Sequence, residues 1–454
     1  MKKRFVFLCY HGFGHINACL KLARLLKEAD FQVYFAGIGY FQKYVVSQGF
    51  SYHLLKSYPF GLGLEKWLNT IKKERYVYLS SLRDRITDSI YKSREVDLYW
   101  MLQGLQPDVV LIDARQATDF IVMYNHLKSK KIKVAVLQPM LPLHLTPGHP
   151  PMNSDIFPHA EEEVKKAIRK LKWNELKKTW KKKFIYLGFD DKFLIRRRIE
   201  KNAVPEHYIS RSPSLLNFAL QHIDEFILVP QAFDFPISEL ASTRHYIGFM
   251  PNEKRHDSSD PAYKKKEAAI FSTKNNKNLK LLYCSFGTIV LEEKEIVLLF
   301  LKRLIAVASI EDYLLLISLQ AQPQDIDKLQ PFENVYIFNS VPQLEVLSQA
   351  DIFITHGGIN SIKESIYAEV PMLMYPVHSD FDPKGNAVRV AYHGLGLRGN
   401  IISDTEKEIQ AYIKELLSNP LYKRSIQELK RKDSQYTLDQ FLEKINSIKP
   451  LSSS

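Results

Sequence analysis

The chain has 454 residues, of which 45% are apolar and 25% charged, and it carries a formal charge of +13. That composition belongs to a folded protein of about two or three domains and excludes a mainly disordered chain. Apolar runs such as Ile296–Phe300 and Leu314–Ile317 fall far short of the ~18–20 residues that span a bilayer, which excludes a spanning helix.

At the amino end, Lys2, Lys3 and Arg4 precede an apolar stretch that stops at His11-Gly12. It is too short for a signal peptide and reads as a first strand, Phe5–Cys9. Asn17 is placed to cap a helix running to about Asp30. Phe31–Ala36, Val109–Ile112 and Lys133–Gln138 read as further strands. The three cysteines, Cys9, Cys19 and Cys284, have no metal-ligand spacing and sit in apolar surroundings. They read as buried thiols of a reducing, cytoplasmic protein.

A Pro-rich stretch, Pro139–Pro158, leads into a strongly basic segment. Between Glu161 and Lys201 there are 15 Lys or Arg against seven acids. Such a run reads first as a solvated face of surface helices. Peripheral contact with an anionic membrane through 161–201, at the inner membrane face, is the alternative. No nucleic-acid module accompanies the charge, so nucleic acid is not expected as a partner.

Strand-like runs resume at Phe226–Val229 and Tyr246–Gly248. After a polar stretch, the alternation begins again with Leu279–Ser285, Tyr313–Ser318, Val335–Phe338, Asp351–Thr355 and Pro371–Tyr375. Glu406–Leu417 and Tyr422–Ile445 read as helices. This divides the chain into a first domain (1–245), a linker (246–280), a second domain (281–425) and a carboxyl-terminal helix with its tail (426–454), the helix packing back on the first domain. Each half opens with a strand running into a Gly-bearing turn, Cys9–His15 and Cys284–Thr288. The fold class is therefore α/β, two Rossmann-like domains whose parallel sheets face a central cleft, with ligands expected at the carboxyl ends of the strands.

The most informative segment runs from Ser340 to Asn386. A strand enters His356-Gly357-Gly358, and a helix is expected to start near Asn360-Ser361. Paired glycines let the backbone approach a ligand, and free N–H groups at a helix start favour phosphate oxygens. His356, Asn360 and Ser361 can add donors there. The competing reading is structural: Ser361-x-x-Glu364 has the form of a capping box that only satisfies helix-start amides. His15, in the turn after the first strand, lies at the carboxyl edge of the sheet, and imidazole is the side chain best suited to removing a hydroxyl proton near neutral pH. His11, four residues earlier, reads as packed. Asp380-x-Asp382 offers too few ligands for a dedicated metal site.

Pro342-Gln343, Thr355-His356-Gly357-Gly358-x-Asn360-Ser361-x-x-Glu364, Val370-Pro371 and Asp382-x-x-x-Asn386 together resemble the nucleotide-sugar signature of the UDP-glycosyltransferases. These are inverting enzymes of the GT-B fold. Ser285-Phe286-Gly287-Thr288 and the Gly14-His15 turn extend the resemblance, whose nearest look is to bacterial enzymes acting on macrolides, flavonoids or carotenoids. The resemblance implies that His356 contacts the donor's phosphates, with Gly357, Gly358, Asn360 and Ser361 beside it and Ser285, Gly287 and Thr288 opposite. It implies that Glu364 accepts from the ribose, that Gln343 and the backbone at Val341 hold the base, and that Asp380 or Asp382 contacts the sugar. It places the general base at His15 and its orienting partner at Asp113. Ser340 stands where the family carries a base-stacking Trp, and Phe381 or Pro383 where it carries Gln. The base and the sugar therefore stay open.

The expectation is a metal-independent hexosyltransferase without cofactor. Its expected partners are a nucleotide-sugar donor, read as UDP-linked, and a small apolar or aromatic acceptor. The alternatives are a lipid-acceptor transferase at the membrane surface, a sugar-nucleotide epimerase on the same fold, and a non-catalytic sugar-nucleotide binder.

Overall fold

The computed structural model describes residues 2–451 apart from 143–144, 147, 212–215, 217, 238–239, 252–258, 288–292, 312, 321–325, 327–328, 330–331 and 378–381. Its strands form two parallel sheets. The first has seven strands: β1 (Arg4–Leu8), β2 (Gln32–Ile38), β3 (Ser51–Leu55), β4 (Val109–Asp113), β5 (Lys133–Gln138), β6 (Glu225–Ile227) and β7 (Arg244–Tyr246). Their order is β3-β2-β1-β4-β5-β6-β7. The second has six: β8 (Leu281–Ser285), β9 (Leu314–Ser318), β10 (Val335–Phe338), β11 (Ile352–Thr355), β12 (Met372–Met374) and β13 (Gly396–Arg398), in the order β10-β9-β8-β11-β12-β13.

In both sheets the order reverses beside the first strand, between β1 and β4 and between β8 and β11. Chains leave such neighbouring strands toward opposite faces, which opens a crevice at their carboxyl ends. These four strands read as apolar runs because helices cover both faces, and β4, β8 and β11 are buried throughout. Two apolar clusters flank the first sheet, one on each face. A third lies on one face of the second sheet. The fourth joins the domains, bringing Met140, Met152 and Phe249 against Phe338, Ile359 and Met374.

Several elements depart from the sequence reading. The first helix is Phe13–Glu28, not one capped by Asn17: Gly12 adopts extended backbone at its start, and its carbonyl accepts from the amides of His15 and Ile16. Asn17 instead accepts from the Tyr44 hydroxyl. The polar stretch read as linker contains a helix, Pro261–Asn276, whose Tyr263 and Ile270 are buried against the second sheet. The single helix expected over Tyr422–Ile445 is two, Leu421–Asp433 and Leu438–Ser447, because Thr437 and Gln440 form a capping box that starts the second. That last helix lies on the first domain, with the Phe441 ring 4.8 Å from Phe226 and Lys133 Nζ donating to the carbonyls of Ile445 and Asn446. The two passages of chain between the domains run side by side: the Phe249 amide donates to Asp433 Oδ1 at 2.7 Å, and the Gln231 amide to the Tyr436 hydroxyl.

Candidate active site

A cavity of about 490 Å³ lies between the carboxyl edges of the two sheets and is lined from both domains. On the first domain, β1 delivers Tyr10 and the turn to His15, and β4 ends at Asp113. His15 Nδ1 donates to Asp113 Oδ2 at 2.7 Å, with both side chains buried. The same carboxylate accepts from the amides of Tyr10 at 3.2 Å and Arg115 at 2.9 Å. Asp113 thus ties together the turns after β1 and β4 and fixes the imidazole. With Nδ1 engaged as a donor, the neutral ring keeps its lone pair on Nε2. His15 lines the cavity, and Asp113 sits behind it. The His11 ring lies tilted against Tyr10 with centroids 3.9 Å apart, and burial pushes its imidazolium down to about 4.

On the second domain, β11 runs into His356 and the two glycines, and the helix Ile359–Tyr367 starts at Gly358. No described side chain caps this helix. The capping-box reading is therefore corrected: Ser361 already lies inside the helix, and Glu364 Oε2 accepts from Gln343 Nε2 at 2.7 Å. Tyr283 adds its hydroxyl to Gln343 Oε1 at 3.4 Å, so the three side chains form one polar row along the cavity.

The glycines are required by space. Gly357 has φ +97°, and a Cβ there would stand 2.9 Å from Met374 Cε and 3.0 Å from the Pro383 carbonyl. At Gly287, φ is +65° and a Cβ would lie 3.0 Å from the His356 ring. A Cβ on Gly358 would likewise stand 2.9 Å from His356 Nε2, so the ring needs both glycines beside it.

Of the residues singled out in sequence, His15, Ser285, Gly287, Val341 and Gln343 line the cavity. So do His356, Gly358, Asn360, Ser361, Glu364 and Asp382. Gly357 stands behind this lining, its carbonyl held by Asn386 Nδ2 at 2.9 Å. Asn386 also donates to Asp382 Oδ2 at 2.8 Å, and burial raises the Asp382 carboxyl above its usual range. Asn360 bridges the domains, donating to the Gly14 carbonyl at 2.7 Å. Thr288 and Asp380 lie outside the described residues.

Sequence reasoning passed over Tyr10, Tyr283 and Arg115, all of which line the cavity. The Arg115 guanidinium stands 5.6 Å from the Tyr10 ring. Its position two residues beyond a strand end that already carried Asp113 was the available signal. The site therefore pairs an oriented imidazole on one wall with a glycine-lined, uncapped helix start on the other.

Residues 233–440 match the family model described as UDP-glucoronosyl and UDP-glucosyl transferase. An uncharacterized UDP-glucosyltransferase YdhE of Bacillus subtilis is 30% identical over 190 residues, 41% of this chain and 46% of that protein. A zeaxanthin glucosyltransferase of Pseudescherichia vulneris is 24% identical over 304 residues, 66% of this chain and 63% of that protein. The matches thus span less than two thirds of these relatives' own length. Among solved structures, the kitacinnamycin glycotransferase superposes with a TM-score of 0.66 at 19% identity, covering 98% of this chain and 99% of that one. CalG4, the calicheamicin glycosyltransferase, gives 0.64 at 15%, covering 99% and 100%. The fold is GT-B, and residues 233–440, which carry the glycine-lined wall of the cleft, are similar to the UDP-glycosyltransferase family.

Proposed function

We propose that the protein is an inverting glycosyltransferase that moves a sugar from a nucleoside-diphosphate donor, read as UDP-linked, to a hydroxyl of a small apolar or aromatic acceptor. The observation that carries this reading is the buried His15–Asp113 pair facing the glycine-lined helix start across one cavity. The acceptor oxygen attacks the anomeric carbon as its proton passes to His15 Nε2, and the bond to the diphosphate oxygen breaks. The imidazolium so formed is stabilised by the Asp113 carboxylate. The departing diphosphate is received by the amides at the start of Ile359–Tyr367 and by His356, which face developing negative charge. The Gln343–Glu364 pair supports a reading in which a ribose and its base lie along the second domain. Holding both substrates in one cleft supplies much of the remaining rate.

The test is a panel of nucleotide sugars offered to the native chain and to His15→Ala, with sugar transfer and nucleotide affinity measured separately. Transfer is expected to fall by about two to four orders of magnitude while affinity stays. Equal transfer by both proteins removes His15 from the role. Nucleotide binding without any transfer by the native chain replaces the reading with that of a binder.

A further inference from the structure

The basic helix Glu161–Ile185 carries apolar residues on two opposite faces. One face turns inward, with Val164 buried and Ile168 and Leu171 half-buried beneath it. The other faces solvent. Trp173, Leu176, Trp180 and Phe184 recur at the spacing of a single helix face, and they are 58%, 50%, 68% and 86% exposed. Leu187, just past the helix end, continues the line at 69% exposure. The stripe runs on into a hollow of about 510 Å³ lined by Tyr78, Lys183, Phe184, Ile185 and Leu187.

Cations border the stripe on both sides. Lys170, Lys177 and Lys181 follow one edge, and Lys172 and Lys183 the other. Lys177 Nζ lies 5.2 Å from the Trp173 ring and Lys183 Nζ 5.4 Å from the Trp180 ring. Beyond Glu163 the helix holds a single acid, Glu175, and it is taken up by Lys192.

We propose that this face docks on an anionic lipid surface, with Trp173, Leu176, Trp180 and Phe184 entering the headgroup boundary and the flanking lysines meeting lipid phosphates. The charge selects an anionic partner, and the form of the apolar stripe selects lipid. Indole rings flanked by lysines suit the wet edge of a bilayer, where an apolar body is buried and cations remain solvated. The stripe is a convex ridge on one helix, whereas a nucleic-acid strand is held in a groove that tracks its backbone. The inference is independent of the chemistry proposed for the cleft.

The test is co-sedimentation of the full chain with phosphatidylglycerol-containing and pure phosphatidylcholine vesicles, at low and high salt. Binding is expected to the anionic vesicles, to weaken with salt, and to drop by at least about tenfold in Trp173→Ser/Trp180→Ser/Phe184→Ser. Because those side chains are exposed, the variant should keep its unfolding transition and its nucleotide affinity. A second readout needs no disruption of the stripe. In a Trp67→Phe/Trp100→Phe background, lipids with brominated chains should quench the emission of the two remaining tryptophans. Absence of binding to anionic vesicles at low salt would overturn the proposal. So would unchanged binding by the triple variant, emission that brominated chains leave untouched, or tighter binding to RNA or polyglutamate than to vesicles.

Discussion

Asp113→Asn probes the site most sharply, because it removes one charge and leaves the shape. The carboxylate accepts three hydrogen bonds, from the amides of Tyr10 and Arg115 and from His15 Nδ1. An amide has one acceptor oxygen. Directed at Arg115, it leaves its NH₂ group facing two donors, the Tyr10 amide and the imidazole. The ring can meet that NH₂ only by moving its own proton to Nε2, the nitrogen that would take the acceptor's proton. The Tyr10 amide, left unpaired, costs ~1–3 kcal/mol of stability. The chemical step loses both the correct tautomer and the counter-charge, an expected fall of about two to four orders of magnitude, or roughly 3–5 kcal/mol in barrier. Single-turnover transfer, nucleotide calorimetry and urea unfolding separate these effects. Transfer within a few-fold of the native rate, in a folded protein, would refute the role given to the pair. A matching loss of nucleotide affinity would refute the assignment of the donor to the opposite wall.

Three further outcomes follow from buried groups. Gly357→Ala should destabilise the fold by ~1–3 kcal/mol through its left-handed backbone, and weaken nucleotide binding as the turn shifts; urea unfolding and calorimetry check both. Lys363 Nζ is buried without a hydrogen-bond partner, and burial lowers its ammonium to about 8. Between that value and the ordinary 10.5 the unfolded chain holds a proton that the native one lacks, so stability rises with pH through the window. Lys363→Met should flatten that rise and add up to ~3 kcal/mol at neutral pH, read from unfolding curves across pH. Asp234 is held by Arg389 at 2.6 Å and by the Tyr246 hydroxyl at 2.7 Å; burial pushes its carboxyl up, but these partners outweigh it and leave it below the usual range. Its stabilisation is full above the ordinary value of 3.8 and is lost as pH falls through the native one. Asp234→Asn should cost ~3–5 kcal/mol at neutral pH, because Arg389 stays buried unpaired, and calorimetric unfolding should show a smaller acid loss.

The parallel sheets were legible because β4, β8 and β11 are unbroken apolar runs, and buried strands leave that pattern. Ser51–Leu55 was missed because only Leu55 of this edge strand is buried, with no apolar run to mark it. Gly396–Arg398 is three residues long, below the reach of any period. The start of the first helix was misplaced because Gly12 and Gly14 look like breakers, whereas Gly12 supplies the extended entry. Residue types announced His15 and His356 as chemistry. Arg115 went unread since nothing local distinguishes a cleft arginine from a surface one. The aromatic stripe was present in the spacing of Trp173, Trp180 and Phe184, but charge dominates that segment, and only the packing reveals which face the rings occupy.

The helix Leu438–Ser447 seals a sheet whose strands come far earlier in the chain; Lys133 and its acceptor in Ile445 are 312 positions apart. During synthesis the amino-terminal lobe must therefore wait, with Phe226 and its neighbours uncovered, until the carboxyl-terminal lobe has emerged. The lobe made first is completed last, and termination after the second sheet but before residue 438 would leave both lobes represented and one of them open.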